Sequence, residues 1–200
     1  MFTPNPYGLF SMPTLETPRL VLRRMTMRDA RDIFDYSRDE EVARHVLWSA
    51  QRDVSEARDY VRFMLRRYRA DQPSSWGIIL KRENRLVGTI GYMDDSEDNG
   101  SVEVGYSLAR RLWNGGYMTE ALRRVIDYTF EAMDINRIEA QHELDNPSSG
   151  RVMEKCGMAR EGVLRQRLYN TGTSVDVALC AILRSDPRPW HDAESGAGSL

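Results

Sequence analysis

Apolar positions along this chain recur with two periods, and the changeover points are readable residue by residue. Between residues 53 and 70, Val54, Ala57, Val61, Met64, Leu65 and Tyr68 return at three- and four-residue spacing, which predicts an amphipathic helix with Arg62, Arg66 and Arg69 on its solvated face. A second such helix begins at Tyr117, with Met118, Leu122, Val125, Ile126, Thr129 and Met133 along one side. Two shorter helical stretches carry their own punctuation. "TMRDARDIFDYS" opens on Thr26 with Asp29 three residues on, a cap with an acidic first turn, and "NPSSGRVMEKCG" closes on Gly157. Elsewhere the period is two. Leu20 and Leu22 alternate with Val21 and Arg23; "WGIILKRENRLVGTIGYMDD" reads as a hairpin about Glu83, Asn84 and Arg85. The polar turn "DDSEDNG" leads into the strand "SVEVGYSL". In "INRIEAQHEL", Ile138, Ala140, His142 and Leu144 oppose Arg137, Glu139, Gln141 and Glu143; "GVLRQRLYN" and "SVDVALCAILR" form a last hairpin about Asn170, Thr171 and Gly172.

Three strands joined by short turns make an antiparallel meander. The strand 101–108, the helix from 117 and the strand near 137–143 make a β-α-β unit, whose two strands run parallel with a right-handed crossover. The expected class is therefore α+β: one domain, a mixed sheet, helices on both faces. Residues 1–14 read as an arm, 15–185 as the domain, and 186–200, beyond the breaks at Pro187 and Pro189, as a frayed tail. Ordered patterning starts at "LETPRLVLRRM", which makes Met12 an alternative first residue.

Composition narrows the chemistry. A net charge of −2 gives no global attraction to nucleic acid or to an anionic membrane, so neither is an expected partner. No stretch reaches the ~18–20 apolar residues of a bilayer span. Cys156 and Cys180 stand in no metal-ligand spacing, and His45 and His191 have no partners at such spacing; the expectation is a reduced, cytoplasmic protein without a metal. Of the 28 basic residues only Lys81 and Lys155 are lysines, but the arginines are spread along the whole chain rather than gathered into a patch.

The segment "RRLWNGGYMTEAL", residues 110–122, sets Asn114, Gly115 and Gly116 directly before a helix start. One reading is a turn that needs positive φ. The other is chemical: bare main-chain N–H groups at the positive end of a helix can hold a phosphate. Here the residues resemble a family. "SVEVGYSLARRLWNGGYMTEAL" is similar to the acetyl-CoA-binding segment of the GNAT N-acetyltransferases, a strand followed by Q/R-x-x-G-x-G/A and a helix, with Arg111, Asn114 and Gly116 at the marked positions. "DNPSSGRVMEKCGMAREGVLR" resembles the family's Asn-x-x-Ser, Glu-Lys-x-Gly-Phe and Glu-Gly block, and "ETPRLVLRRM" the opening of its RimJ/RimL-like branch. The resemblance spans roughly residues 15–185.

It implies a mostly antiparallel sheet whose central parallel pair is opened by a splay, and acetyl-CoA as acyl donor. The diphosphate would lie on the backbone of residues 111–119, namely Arg111, Asn114, Gly115, Gly116, Tyr117, Met118 and Thr119, and the pantetheine arm beside Ser107, Leu108 and Ala109. Asn146 would hold a pantetheine amide and Ser149 would sit near the sulfur. Two positions depart from the pattern: Asn114 replaces the first loop glycine, and Met153 stands where many members place a thiolate-protonating tyrosine, so that role passes to Ser149 or to no residue. Glu103, between Val102 and Val104, is either a solvent-facing strand residue or the carboxylate that takes the amine's proton through water. The implied activity is direct acetyl transfer to a primary amine, foremost a protein N-terminal α-amine. The alternatives are a small-amine acetyltransferase (polyamine, amino acid or aminoglycoside) and a non-catalytic acyl-CoA sensor. A homodimer is compatible with all three.

Overall fold

Leu20 and Leu22 expose no surface, while Val21 and Arg23, which alternate with them, are half-buried. That alternation places one face of a strand on the core, and the rest of the sheet is built the same way. The computed structural model describes residues 10–96, 99–170 and 172–191. Its strands are β1 (Leu15–Glu16), β2 (Leu20–Arg23), β3 (Ser75–Leu80), β4 (Arg85–Ser96), β5 (Ser101–Leu108), β6 (Arg137–Glu143), β7 (Ala159–Asn170) and β8 (Thr173–Leu183). The helices are α1 (Ala30–Ser37), α2 (Glu40–Ala43), α3 (Val54–Arg69), α4 (Tyr117–Ala132) and α5 (Pro147–Lys155). The strands form one sheet in the order β1-β2-β3-β4-β5-β6-β8-β7. Every neighbouring pair is antiparallel except β5 and β6, which run parallel with α4 between them in sequence.

Helices cover both faces. On one face the α1 hydroxyl of Tyr36 lies 3.4 Å from Ser107 Oγ of β5, which is itself 3.2 Å from Thr89 Oγ1 of β4. On the other, Tyr92 Oη of β4 meets Thr129 Oγ1 of α4 at 2.7 Å, and Trp76 packs edge-on against Tyr128 with ring centroids 5.7 Å apart. Met118, Leu122, Val125, Ile126, Thr129 and Met133, the stripe read from the sequence, are all buried.

Three expectations need correction. The alternation in β6 fails at its end, where Glu143 is buried and Leu144 exposed, because Glu143 is covered by His45 and Asn170. The chain remains packed beyond residue 186 as far as His191: Trp190 is buried, donates from Nε1 to Asp127 at 2.9 Å and lies under the Arg123 guanidinium. Of the N-terminal arm, Phe10 and Met12 are core residues, with the Phe10 ring 5.4 Å from that of Tyr92; residues 1–9 and 192–200 lie outside the described part.

The turn into α1 is held by charge. Asp29 is buried and accepts from Arg23 Nη1 and Nη2 at 2.9 and 2.8 Å, and from the Thr26 N–H at 2.7 Å. Burial pushes its carboxyl up, but the hydrogen bonds from Arg23 and Thr26 outweigh that and hold it below the ordinary carboxylate range. A lowered folded-state value adds stability above the unfolded pKa and loses it as pH falls through the folded one. Asp29→Asn should therefore lower the unfolding free energy by about 2 kcal/mol at neutral pH. Denaturation curves of mutant and parent should converge as the pH drops below about 3.9.

Candidate active site

β5 and β6 stay in register for only three residue pairs, Ser101 with Arg137, Val102 with Ile138 and Glu103 with Glu139. β5 continues to Leu108 and β6 to Glu143, so the two strands part after Glu103 and leave a wedge between them. Main-chain N–H and C=O groups on the two walls of the wedge lose their ladder partners there, which makes it a place for an extended ligand to pair backbone to backbone. Ser107, Leu108 and Ala109, the expected pantetheine neighbours, sit at its far end and are buried. The Leu108 carbonyl accepts from Trp113 Nε1 at 2.8 Å, a donor that the sequence reading did not foresee.

Beyond β5 a single 3-10 turn, Arg110–Leu112, delivers the chain to the glycine loop. Asn114 has φ +60° and Gly116 φ +74°, so the departure at Asn114 is accommodated in the left-handed region that Asn tolerates best. Gly115 needs its missing side chain: a Cβ there would stand 2.8 Å from the Tyr117 ring. α4 then starts without a side-chain cap, whereas Asp39, Asp53 and Asn146 cap α2, α3 and α5. Its first intrahelical bond runs from Glu120 N–H to Gly116 O at 3.0 Å, so the N–H groups of Tyr117, Met118 and Thr119 have no partner within the helix. The helix dipole adds roughly 0.3–1 kcal/mol for an anion placed there. Arg111 does not offer its guanidinium to this loop; both its Nη atoms hold Glu83, at 3.0 and 2.5 Å.

The loop is braced from the far end of the sequence. Thr17 Oγ1 and the Arg19 N–H donate to Glu120 Oε1 at 2.6 and 2.9 Å. Arg19 Nε donates to Oε2 at 2.6 Å and Nη1 to the Gly115 carbonyl at 2.9 Å, with the guanidinium 4.0 Å above the Tyr117 ring. Burial alone would raise the Glu120 carboxyl, but these hydrogen bonds bring it below its usual range. No local motif carries this latch, because its halves lie about a hundred residues apart.

Glu103 stands at the fork, on the face of β5 opposite buried Val102 and Val104, and Gln141 Nε2 of β6 donates to its Oε1 at 2.8 Å. Ser149 lies in the first turn of α5, where the Asn146 side chain accepts from its N–H at 3.3 Å; Met153, one turn on, is buried. Tyr106 Oη reaches from β5 to Ser149 Oγ at 2.9 Å. Two other groups bear on the expectations for Cys156 and His45. Cys156 is fully buried, and burial pushes its thiol up to about 12, so it is no nucleophile at working pH. His45 Nδ1 lies 2.8 Å from Glu143 Oε2, and Asp145 joins within ligand distance. Sequence spacing could not show this group; Asn170 Nδ2 takes the other oxygen of Glu143, and the cluster ties the loop after α2 to β6 and the β7–β8 hairpin.

Residues 19–159 match the family described as acetyltransferase (GNAT) domain, and the N-acetyltransferase p20 of Bacillus licheniformis, itself uncharacterised, is 34% identical over 88% of this chain and 98% of p20. The chain belongs to the GNAT family. A GNAT acetyltransferase from Bacillus anthracis shares the fold with a TM-score of 0.78 at 26% identity, over 87% of this chain and 100% of that one. RimL, a ribosomal L7/L12 α-N-protein acetyltransferase solved with coenzyme A, shares it with a TM-score of 0.77 at 18% identity, over 86% and 98% of the two chains, a likeness of fold alone. The spermidine N1-acetyltransferase of Vibrio cholerae is 21% identical over 84% of this chain and 94% of its own. GNAT members are N-acetyltransferases that use acetyl-CoA, and the uncapped helix, left-handed loop and parted strands fit that donor.

Gly116→Ala puts a Cβ into the left-handed region at a cost of about 1–2 kcal/mol. The expected result is a matching fall in unfolding free energy and weaker coenzyme A binding by calorimetry; unchanged affinity would detach the loop from the diphosphate. Iodoacetamide at pH 8 should leave Cys156 unlabelled in the native protein and label it once the chain is unfolded.

Proposed function

We propose that this GNAT acetyltransferase moves the acetyl group directly from acetyl-CoA to a protein N-terminal α-amine. Glu103 takes the amine's proton through water, Ser149 faces the departing sulfur, and the backbone of residues 111–119 with Asn146 holds the donor. The bond from the acyl carbon to sulfur breaks as the bond to nitrogen forms, and the sulfur leaves as thiolate. The buried, weakly acidic thiol of Cys156 supports transfer without an acyl-enzyme. The setting proposed is the cytoplasm, in keeping with two free cysteines; among the described residues no helix is long and apolar enough to cross a membrane.

The observation that carries the choice of acceptor is the hydrogen bond from Gln141 to Glu103. That bond holds the carboxylate at the fork, where it takes the proton through a water rather than directly. An α-amine of pKa ~7.8 is roughly 15% neutral at pH 7, so its deprotonation costs about 1 kcal/mol; a lysine-type amine of pKa ~10.4 is about 0.04% neutral and costs about 4.6 kcal/mol. A base that acts through water suffices for the first and not for the second.

The test is thiol release from acetyl-CoA with three acceptors: a lysine-free peptide with a free N-terminus, the same peptide N-blocked and carrying one lysine, and spermidine. The free N-terminus should exceed both others at least tenfold in kcat/KM, and Glu103→Gln should reduce its turnover by about tenfold. Faster turnover of spermidine or lysine would transfer the assignment to a small or side-chain amine. Coenzyme A binding without thiol release on any amine would make the protein a sensor.

A further inference from the structure

The sequence motifs give Tyr106 no role, yet it joins β5 to the first turn of α5. It lies on β5 on the same face as Val102 and Val104, three residues beyond the fork at Glu103, and its hydroxyl meets Ser149 of α5 twice: Oγ at 2.9 Å and the main-chain carbonyl at 3.2 Å. A phenol carries one hydrogen and cannot donate to both. If it donates to the carbonyl, Ser149 satisfies its neighbour by pointing its own O–H at Tyr106 Oη. If it donates to Ser149 Oγ, the serine hydrogen is released to point elsewhere. The two arrangements share the same heavy-atom positions and differ only in where two hydrogens lie.

Among the described residues, Tyr106 is the one whose hydroxyl lies within hydrogen-bond distance of Ser149 Oγ. Ser148 is exposed and pairs with Arg151 Nη2 at 2.9 Å rather than with Ser149, and Met153 has no proton to give. Burial also pushes the ionisation of Tyr106 well above the usual tyrosine range, so the phenol keeps its hydrogen at any working pH.

We propose that Tyr106 is a positioning residue for Ser149, turning its hydrogen from the carbonyl to the serine oxygen so that the serine hydrogen faces the leaving sulfur as charge builds there. The inference rests on the reading of Ser149 as the group beside the sulfur. No covalent bond to Tyr106 or Ser149 changes: the amine's proton goes to Glu103, and the thiolate departs stabilised by the serine hydrogen bond.

Two readouts distinguish this from a structural role, the kcat of single and double variants and the pKa of the bound coenzyme A thiol followed by thiolate ultraviolet absorbance. Tyr106→Phe should lower kcat about five- to tenfold, the worth of one hydrogen bond. It should raise the bound thiol pKa and leave KM for acetyl-CoA within about twofold. In a Ser149→Ala background the same change should cost less than about twofold. Equal losses in both backgrounds, or an unmoved thiol pKa, overturn the role of Tyr106 while Ser149→Ala still lowers kcat. A Ser149→Ala variant with parental kcat and thiol pKa overturns the reading of Ser149 itself and the inference with it. Should Tyr106→Phe not fold, 3-fluorotyrosine at 106 keeps the ring and strengthens the donor; it should lower the bound thiol pKa, and no change overturns the proposal.

Discussion

The structure depends on a sheet that stops being a sheet at its centre. β5 and β6 agree for three residue pairs and then part, although each continues as a strand. A backbone so opened needs a partner of its own, and an extended amide-bearing arm is one that matches it group for group. The rest of the fold serves to hold that opening: α1 and α3 on one face, α4 and α5 on the other, and antiparallel ladders on both sides that keep the two strands from collapsing together.

The chemistry divides along the same line. One wall carries Glu103 with Gln141 across from it, at the fork where the strands still touch. The other face carries Ser149 with Tyr106. In the function we propose, proton removal from the nucleophile and charge acceptance at the leaving group fall to opposite faces of the sheet, and the donor's diphosphate to the uncapped end of α4.

Much of this was legible from the chain alone where the cause is local. Alternation in "SVEVGYSL" defined β5 to the residue, and the apolar stripe after Gly116 defined the start of α4, because burial on one face imposes a period that nothing else competes with. Positive φ at Asn114 and Gly116 followed from residue type. What stayed hidden is what long-range pairing decides. Glu143 reads as an outward residue until His45 and Asn170 are brought over it, and the Arg111 guanidinium shows no partner until the β3–β4 turn presents Glu83. Tyr106 reads as one more aromatic strand residue until α5 arrives above it.

The Thr17–Arg19 brace on Glu120 also constrains when the loop takes its shape. The residues that clamp Gly115 and Glu120 precede them by about a hundred positions in the chain. β8, the last described strand in sequence, lies between β6 and β7 and backs the β6 wall of the opening. The loop that starts α4 is therefore clamped only when two segments about a hundred positions apart are both in place, so its shape reports on the assembly of the whole sheet edge between them.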